Sequence, residues 1–270
     1  MISVIIAHQP GRSEIHLKLL ENDICEQLNK LGIQGEILIE SEGSKSSSRN
    51  KAAKRAQGEI LVFFDDDVKL RRGFFLELLD PFSDPGVGVV GGVNVAFPDV
   101  PLREQISAVL MSSPLLWFRS SARYTPRGTI RETDESEIIG CCMAMRKKAF
   151  DQAGGFPLDV IPCEENVLIN RIQALGWKVI YVPFAIVYHR RAAFPMGYAR
   201  KLFGYGMGRG IMLRQRFGEK PRMIWKPRWR WLLYFLGFFI HFGCYISGVL
   251  YGYLIKKKHQ EKKDEISKNS

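Results

Sequence analysis

Short apolar runs alternate with segments of helical period through the first half of the chain. Ile2–Ala7 is a compact apolar run, too short for a helix and the right length for a strand. Gln9-Pro10-Gly11 breaks it. Ser13 is then placed to cap a segment whose apolar positions Ile15, Leu17, Leu20, Ile24 and Leu28 recur at helical spacing. Gly35–Ile39 reads as a second strand, ended by the polar run Glu40-Ser41-Glu42-Gly43-Ser44, and Ser46–Ser48 leads into a short basic helix, Arg49 to Ala56, stopped by Gly58. Ile60–Phe64 is branched and aromatic with no polar position, which predicts a strand buried on both faces, as in a parallel sheet. Phe74–Leu79 is predicted helical, and Val87–Val95 is a further buried strand loosened by Gly91 and Gly92. This β-α-β-α-β alternation predicts a doubly wound α/β sheet.

The pattern is less regular afterwards. Ile138–Met145 is strand-like, Lys148–Ala153 reads as a short helix ended by Gly154-Gly155, and Glu164–Leu175 as a helix stopped by Gly176. Val179–Val182 and Ala185–Tyr188 are predicted as two last short strands, with His189 closing the domain.

Charge divides the chain more sharply than hydropathy does. Of the net +11, residues 1–189 contribute 21 Lys/Arg against 24 Asp/Glu, and residues 190–270 contribute 18 against 4. A uniformly basic nucleic-acid binder would not be partitioned in this way, so no nucleic-acid partner is expected. A soluble domain on a basic membrane anchor would be. Trp231–Ile255 is 25 residues without Asp, Glu, Lys or Arg, flanked by seven Lys/Arg in 211–230 and five Lys in 256–263. At ~1.5 Å per residue it is long enough to span a hydrocarbon core. Four parts are therefore expected: a folded α/β domain 1–190, a basic amphipathic juxtamembrane segment 191–230 drawn to anionic lipid, a membrane helix 231–255 and a basic tail 256–270. Gly237, Gly243, Gly248 and Gly252 leave a re-entrant hairpin open in place of a single span. The N-terminal domain is expected on the cytoplasmic side of the cell membrane, where the five cysteines, odd in number and lacking CxxC spacing, indicate neither a disulfide framework nor zinc.

The chemistry-bearing stretch is the third strand, because it runs straight into Asp65-Asp66-Asp67. Carboxyl ends of strands are where open α/β sheets bind ligands. Three carboxylates there suit a hard cation such as Mg²⁺ or Mn²⁺. In extended chain Asp65 and Asp67 project to one side and Asp66 to the other, so a bend is needed for all three to meet one ion.

An ordered set now lines up: Ile2–Ala7, Glu42-Gly43-Ser44, Ser48-Arg49-Asn50, Phe64-Asp65-Asp66-Asp67, Gly154-Gly155-Phe156, and Glu164-Glu165 followed by Leu168 and Arg171. This set resembles the family 2 glycosyltransferases over most of residues 1–190. The resemblance implies a GT-A (Rossmann-like) fold, a mostly parallel mixed sheet flanked by helices, here followed by a C-terminal membrane helix. It also implies transfer of a sugar from a nucleoside diphosphate-sugar to an acceptor hydroxyl with inversion; the expected membrane anchor, in turn, points to a glycan or lipid-linked acceptor. By the same resemblance Asp65–Asp67 is the DxD-type motif, with Asp66, Asp67 and His189 as metal ligands for Mn²⁺ or Mg²⁺. Asp65 and Asp66 would contact the donor. Glu42 stands where the family contacts the base, although the family's Asp-Asp-Gly-Ser turn reads Ser41-Glu42-Gly43-Ser44 here. Arg49 is expected at the start of its helix against base or diphosphate. Glu164 and Glu165 match an acidic pair at a helix start, with Glu164 as a substrate contact and Glu165 as catalytic base.

Two other classes compete. A sugar nucleotidyltransferase would want a Gly-rich basic loop after the first strand, and Ala7-His8-Gln9-Pro10-Gly11-Arg12 offers one Gly and one Arg. A non-enzymatic basic membrane adaptor would leave the carboxylates unexplained.

Overall fold

The computed structural model describes residues 1–9, 11–160, 162–217 and 243–248. Two compact units are distinguished. One comprises Met1–Leu158 with Glu165–Arg191, the other Asp159–Glu164 with the described residues from Ala192 onward.

The first unit is a sheet sandwiched by helices. In chain order its elements are β1 (Ile2–Ala7), α1 (Glu14–Leu31), β2 (Gly35–Glu40), α2 (Lys45–Arg55), β3 (Ile60–Asp65), β4 (Val68–Leu70), α3 (Phe74–Leu79), β5 (Val87–Val95), α4 (Leu102–Ser112), α5 (Pro114–Trp117), β6 (Arg131–Glu132), β7 (Cys142–Arg146), α6 (Lys147–Gln152), α7 (Glu164–Ala174) and β8 (Lys178–His189). The strand order is β2-β1-β3-β7-β5-β8-β4, with β6 on β8. β1 pairs in parallel with β2 and β3, and β5 with β8. β3–β7, β5–β7, β4–β8 and β6–β8 are antiparallel. The sheet is thus mixed, as expected: β7 re-enters from the opposite end after a long excursion and is inserted between β3 and β5. β1, β2, β3, β5 and β8 all point the same way, so Ala7, Glu40, Asp65, Val95 and His189 end at one edge.

Alternation along β3 decides what meets what. Leu61, Phe63 and Asp65 share one face. There Phe63 stacks on Phe150 at 5.8 Å and meets Phe156 edge-on at 5.3 Å, in a core with Ala52, Ala53, Leu168, Ile169 and Ile172. Val62, Phe64 and Asp66 share the other. There Phe64 packs on Phe74 and Phe75 of α3, which Gln27 ties to α1 by accepting from the Phe74 N–H at 3.0 Å. Phe63 and Phe64 are both fully buried, worth roughly 1.5–3 kcal/mol each. Asp65 therefore ends on the face of α2 and α7, and Asp66 on that of the β1–α1 loop.

Several boundaries differ from the sequence reading. α2 begins at Lys45, because Ser44 caps it by accepting from the Ser47 N–H at 3.3 Å and Gly43 turns the chain at φ +88°. Arg49 consequently lies in the second turn, facing inward, instead of at the helix start. Ser13 precedes α1 without a side-chain cap bond. The expected strand over Ile138–Met145 starts only at Cys142. β8 is one twelve-residue strand in place of two short ones. Its register on β5 jumps from Gly91↔Tyr181 to Val93↔Ile186, so Pro183 falls where the ladder is interrupted.

In the second unit the described part of the expected juxtamembrane segment forms helix α8 (Met196–Phe217). Residues 243–248 are also helical, and the two pieces touch through glycines: a Cβ on Gly206 would lie 1.9 Å from the Tyr245 carbonyl oxygen. The rest of the expected membrane helix 231–255 lies outside the described residues, as does 256–270. Among the described residues no helix is long and apolar enough to cross a membrane.

Candidate active site

The strand edge gathers three carboxylates, two histidines and three cationic side chains. β3 delivers Asp65, and the turn at Asp66–Asp67 carries the chain onto β4, where Val68 pairs with His189 of β8. That pairing brings Asp67 Oδ1 to 3.0 Å from His189 Nε2, with Asp65 Oδ2 at 3.9 Å from the same nitrogen. One ligand atom from each of Asp65, Asp67 and His189 lies within 4.8 Å of the others. His189 Nδ1 sits 2.6 Å from the Arg190 carbonyl oxygen. A carbonyl only accepts, so Nδ1 carries the proton and Nε2 faces the carboxylates.

This donor set fits a divalent cation. Two carboxylate oxygens and an imidazole nitrogen converge, and Asp67 Oδ1 is buried without a well-aligned hydrogen-bond partner. The backbone-anchored Nδ1 is the outer support that metal-binding histidines use. Two of the expected ligands, Asp67 and His189, meet here together with Asp65. Asp66, expected as a ligand, is not in the cluster; Asp65, expected to touch the donor, takes its place. The cause is strand alternation. Asp66 faces the β1–α1 loop, nearly inaccessible, and accepts from Gln9 N at 3.0 Å and Arg12 Nη1 at 2.8 Å, with His8 Nδ1 at 2.9 Å.

Cations hold the outer oxygens of the ligand carboxylates. Lys45 Nζ is 2.5 Å and Arg49 Nη2 3.0 Å from Asp65 Oδ1, and Arg12 Nη1 is 2.7 Å from Asp67 Oδ2. Burial alone would raise the Asp65 pKa, but Lys45, Arg49 and His189 outweigh it and hold the group well below the usual carboxylate range. Asp67 is also lowered: burial opposes ionisation, while His189 and then Arg12 favour it. The Arg12 guanidinium is pushed up, its burial penalty exceeded by the neighbouring Asp67 and Asp66 together.

Arg49 is placed differently from the sequence expectation. It is fully buried, donates to the Gly140 carbonyl at 2.6 Å as well as to Asp65, and lies over the rings of Phe156 (5.3 Å) and Phe63 (6.0 Å). Glu165, at the start of α7, sits across Gly140 from it. A Cβ on Gly140 would fall 3.2 Å from Arg49 Nη1 and 3.5 Å from the Glu165 carboxyl carbon, so this glycine keeps the two side chains on facing terms. The neighbouring motifs lock together: Asn50 donates to the Phe156 carbonyl at 2.8 Å and accepts from its N–H at 2.9 Å, bracing the loop that Gly154 and Gly155 form at positive φ.

The remaining expected residues lie further out. The Glu42 side chain is 80% exposed, pairs with Lys51 at 3.0 Å, and its carbonyl accepts from Ser48 Oγ. Glu164 opens α7 and is buried, directly after Cys163, whose φ is +81°. Sequence reasoning assigned no role to His8, Arg12 and Lys45. Their only signal was position, each falling in or just after a loop at the carboxyl end of a parallel strand.

Residues 22–154 match the model of glycosyl transferase family 2. The pre-mycofactocin glycosyltransferase of Mycobacterium tuberculosis is 27% identical over 180 residues, covering 66% of this chain and 37% of that protein. The O-antigen chain rhamnosyltransferase WbaN of Salmonella anatum is 24% identical over 181 residues, 63% of this chain and 54% of that protein. The chain spans between 12% and 54% of the length of the curated relatives it matches. Among solved structures, a mannosyltransferase from Pyrobaculum calidifontis, in complex with GDP-Man and Mn²⁺, aligns with TM-score 0.53 and 18% identity, over 82% of this chain and 65% of that one. That likeness shows the fold, a GT-A-like mixed α/β sheet with flanking helices. The chain is thus similar to glycosyltransferases, through a family 2 model over residues 22–154 and through relatives of 24–27% identity, and it shares their fold class with the solved mannosyltransferase.

Proposed function

We propose that the protein transfers a sugar from a nucleoside diphosphate-sugar to an acceptor hydroxyl, with inversion and with help from a divalent cation. One observation carries this reading: Asp65, Asp67 and His189 converge at the strand edge while Glu165 stands across Gly140 from the arginine that holds Asp65. The P. calidifontis mannosyltransferase, in complex with GDP-Man and Mn²⁺, supports the same donor and metal chemistry here. A cation held by Asp65, Asp67 and His189 would stabilise the negative charge that develops on a departing nucleoside diphosphate.

The chain's own residues supply the rest. Glu165 accepts the proton of the acceptor hydroxyl as its oxygen bonds to the anomeric carbon from the face opposite the diphosphate. The bond from that carbon to the diphosphate oxygen breaks, and its electron pair leaves with the diphosphate. A single displacement of this kind inverts the centre. Arg49 and Lys45 keep Asp65 ionised, and Glu42, on the loop after β2, is available to the base. The rhamnosyltransferase relatives support a glycan acceptor in cell-surface polysaccharide synthesis. The charge-free 231–255 stretch between basic flanks supports attachment to anionic lipid at the cytoplasmic membrane.

Glu165→Gln tests the assignment. The variant keeps its fold and donor affinity but loses at least about a hundredfold in transfer rate. Near-normal turnover would remove Glu165 from the mechanism.

A further inference from the structure

The fixed charges of the site are balanced before any ligand arrives. Three aspartates, Asp65, Asp66 and Asp67, face three obligate cations, Arg12, Lys45 and Arg49. These cations are not equivalent. Arg49 is fully enclosed and committed to the Gly140 carbonyl. Lys45 and Arg12 sit at the rim, with side chains 32% and 42% exposed on long flexible stems. They hold the outer oxygens, Asp65 Oδ1 and Asp67 Oδ2, while the inner pair turns toward His189 Nε2.

A divalent cation bound to the inner oxygens brings two positive charges within a few ångströms of Lys45 and Arg12. Repulsion in this partly buried setting is strong, and each carboxylate then serves the metal better than the side chain. Lys45 is then left with positive charge to spare, and Arg12, still 2.8 Å from Asp66, is released from Asp67; both stand beside the metal and face solvent. A diphosphate carries the opposite charge and the acceptor oxygens that ammonium and guanidinium groups recognise.

We propose that Lys45 and Arg12 are exchangeable counterions, pairing with Asp65 and Asp67 in the free protein and with the donor's diphosphate once a divalent cation occupies the cluster. This rests on the glycosyltransferase reading above and adds to it a coupling. Metal alone binds weakly because it must overcome two resident cations. Diphosphate alone binds weakly because those cations are engaged. Each ligand tightens the other by the same factor, as linkage requires.

Calorimetry on the full chain tests this, with Mn²⁺ alone, with GDP, UDP and dTDP alone, and with each in the presence of the other. In the wild type, Mn²⁺ and the preferred nucleotide strengthen one another roughly 5- to 150-fold. In Lys45→Met and Arg12→Met, Mn²⁺ alone binds tighter by about tenfold, the nucleotide binds the Mn²⁺ form more weakly, and the coupling factor falls. Lys45→Arg keeps the charge and stays near the wild type, which separates loss of charge from damage to the fold. Unchanged or weaker Mn²⁺ binding in both methionine variants overturns the exchange while leaving the glycosyltransferase reading standing. A wild-type protein that binds neither Mn²⁺ nor any of the nucleotides overturns both.

Discussion

Replacing Arg49 by methionine removes the one buried cation that links the carboxylate cluster to the core. The guanidinium makes two charge-assisted hydrogen bonds, 3.0 Å to Asp65 Oδ1 and 2.6 Å to the Gly140 carbonyl, and lies over Phe156 at 5.3 Å. Hydrogen bonds to charged groups contribute about 1.5–3 kcal/mol each, and breaking a buried pair from one side costs about 3–5 kcal/mol. Lys45 still contacts Asp65, so the carboxylate is not stranded, which places the loss near the lower end, about 3–4 kcal/mol. Ordinary domains are stable by about 5–15 kcal/mol, so the variant folds. With about 2–4 °C per kcal/mol for a unit of this size, its Tm drops by roughly 10 °C. Arg49→Lys keeps the charge but not the fork that reaches both acceptors, and falls between. Thermal unfolding by circular dichroism reads all three proteins. A Tm within about 2 °C of the wild type for Arg49→Met would show that the guanidinium does not brace the site.

Other consequences follow from the same contacts. Asp67→Asn weakens Mn²⁺ binding by more than about tenfold, because it removes a ligand charge. Asp66→Asn leaves Mn²⁺ affinity within a few-fold but lowers stability by about 1–3 kcal/mol through its lost bonds to Gln9 and Arg12; calorimetry and denaturant unfolding separate the two, and equal effects on metal would restore Asp66 to the ligand set. Glu137 is nearly inaccessible, where burial opposes its charge, but Arg131 at 2.9 Å and Thr133 hold its pKa below the ordinary value. A carboxylate depressed in the folded state contributes stability above its unfolded pKa of about 4.3 and loses it as pH falls through the folded value. The stability gap between wild type and Glu137→Gln in urea is therefore full at pH 7 and closes below about pH 4; a gap independent of pH would contradict the pairing.

How far the sequence reached depended on whether a feature was local. β1, α3 and β5 were legible to the residue, since an apolar run between breakers needs no knowledge of its partners. The alternation of Asp65, Asp66 and Asp67 was legible too, but not which face each would meet. That depends on α2 and α7 covering one side of β3 and the β1–α1 loop the other. β4, at three residues, carries no periodic signal, and α4 escapes an apolar pattern because its buried face carries Glu104 and Ser107 beside Met111. β8 looked like two strands because Pro183 interrupts a ladder that resumes five residues on. The position of Arg49 within α2 depends on the cap: the basic run suggests a start at Arg49, where Ser44 starts the helix four residues earlier. Pairings such as Arg190 with Glu104 at 2.6 Å, and Arg191 with Asn94 at 2.7 Å, brace the chain just after His189 across more than eighty residues. No pattern in one sequence announces them.

The central claim is that the strand-edge cluster activates a nucleotide-sugar. The full chain incubated with a panel of GDP-, UDP- and dTDP-sugars, with Mn²⁺ or with EDTA, tests it by measuring nucleoside diphosphate release. The account predicts release from one class of donor in Mn²⁺, suppressed by EDTA and by Asp67→Asn. Release that is undiminished in EDTA, or equal in Asp67→Asn and wild type, would contradict it.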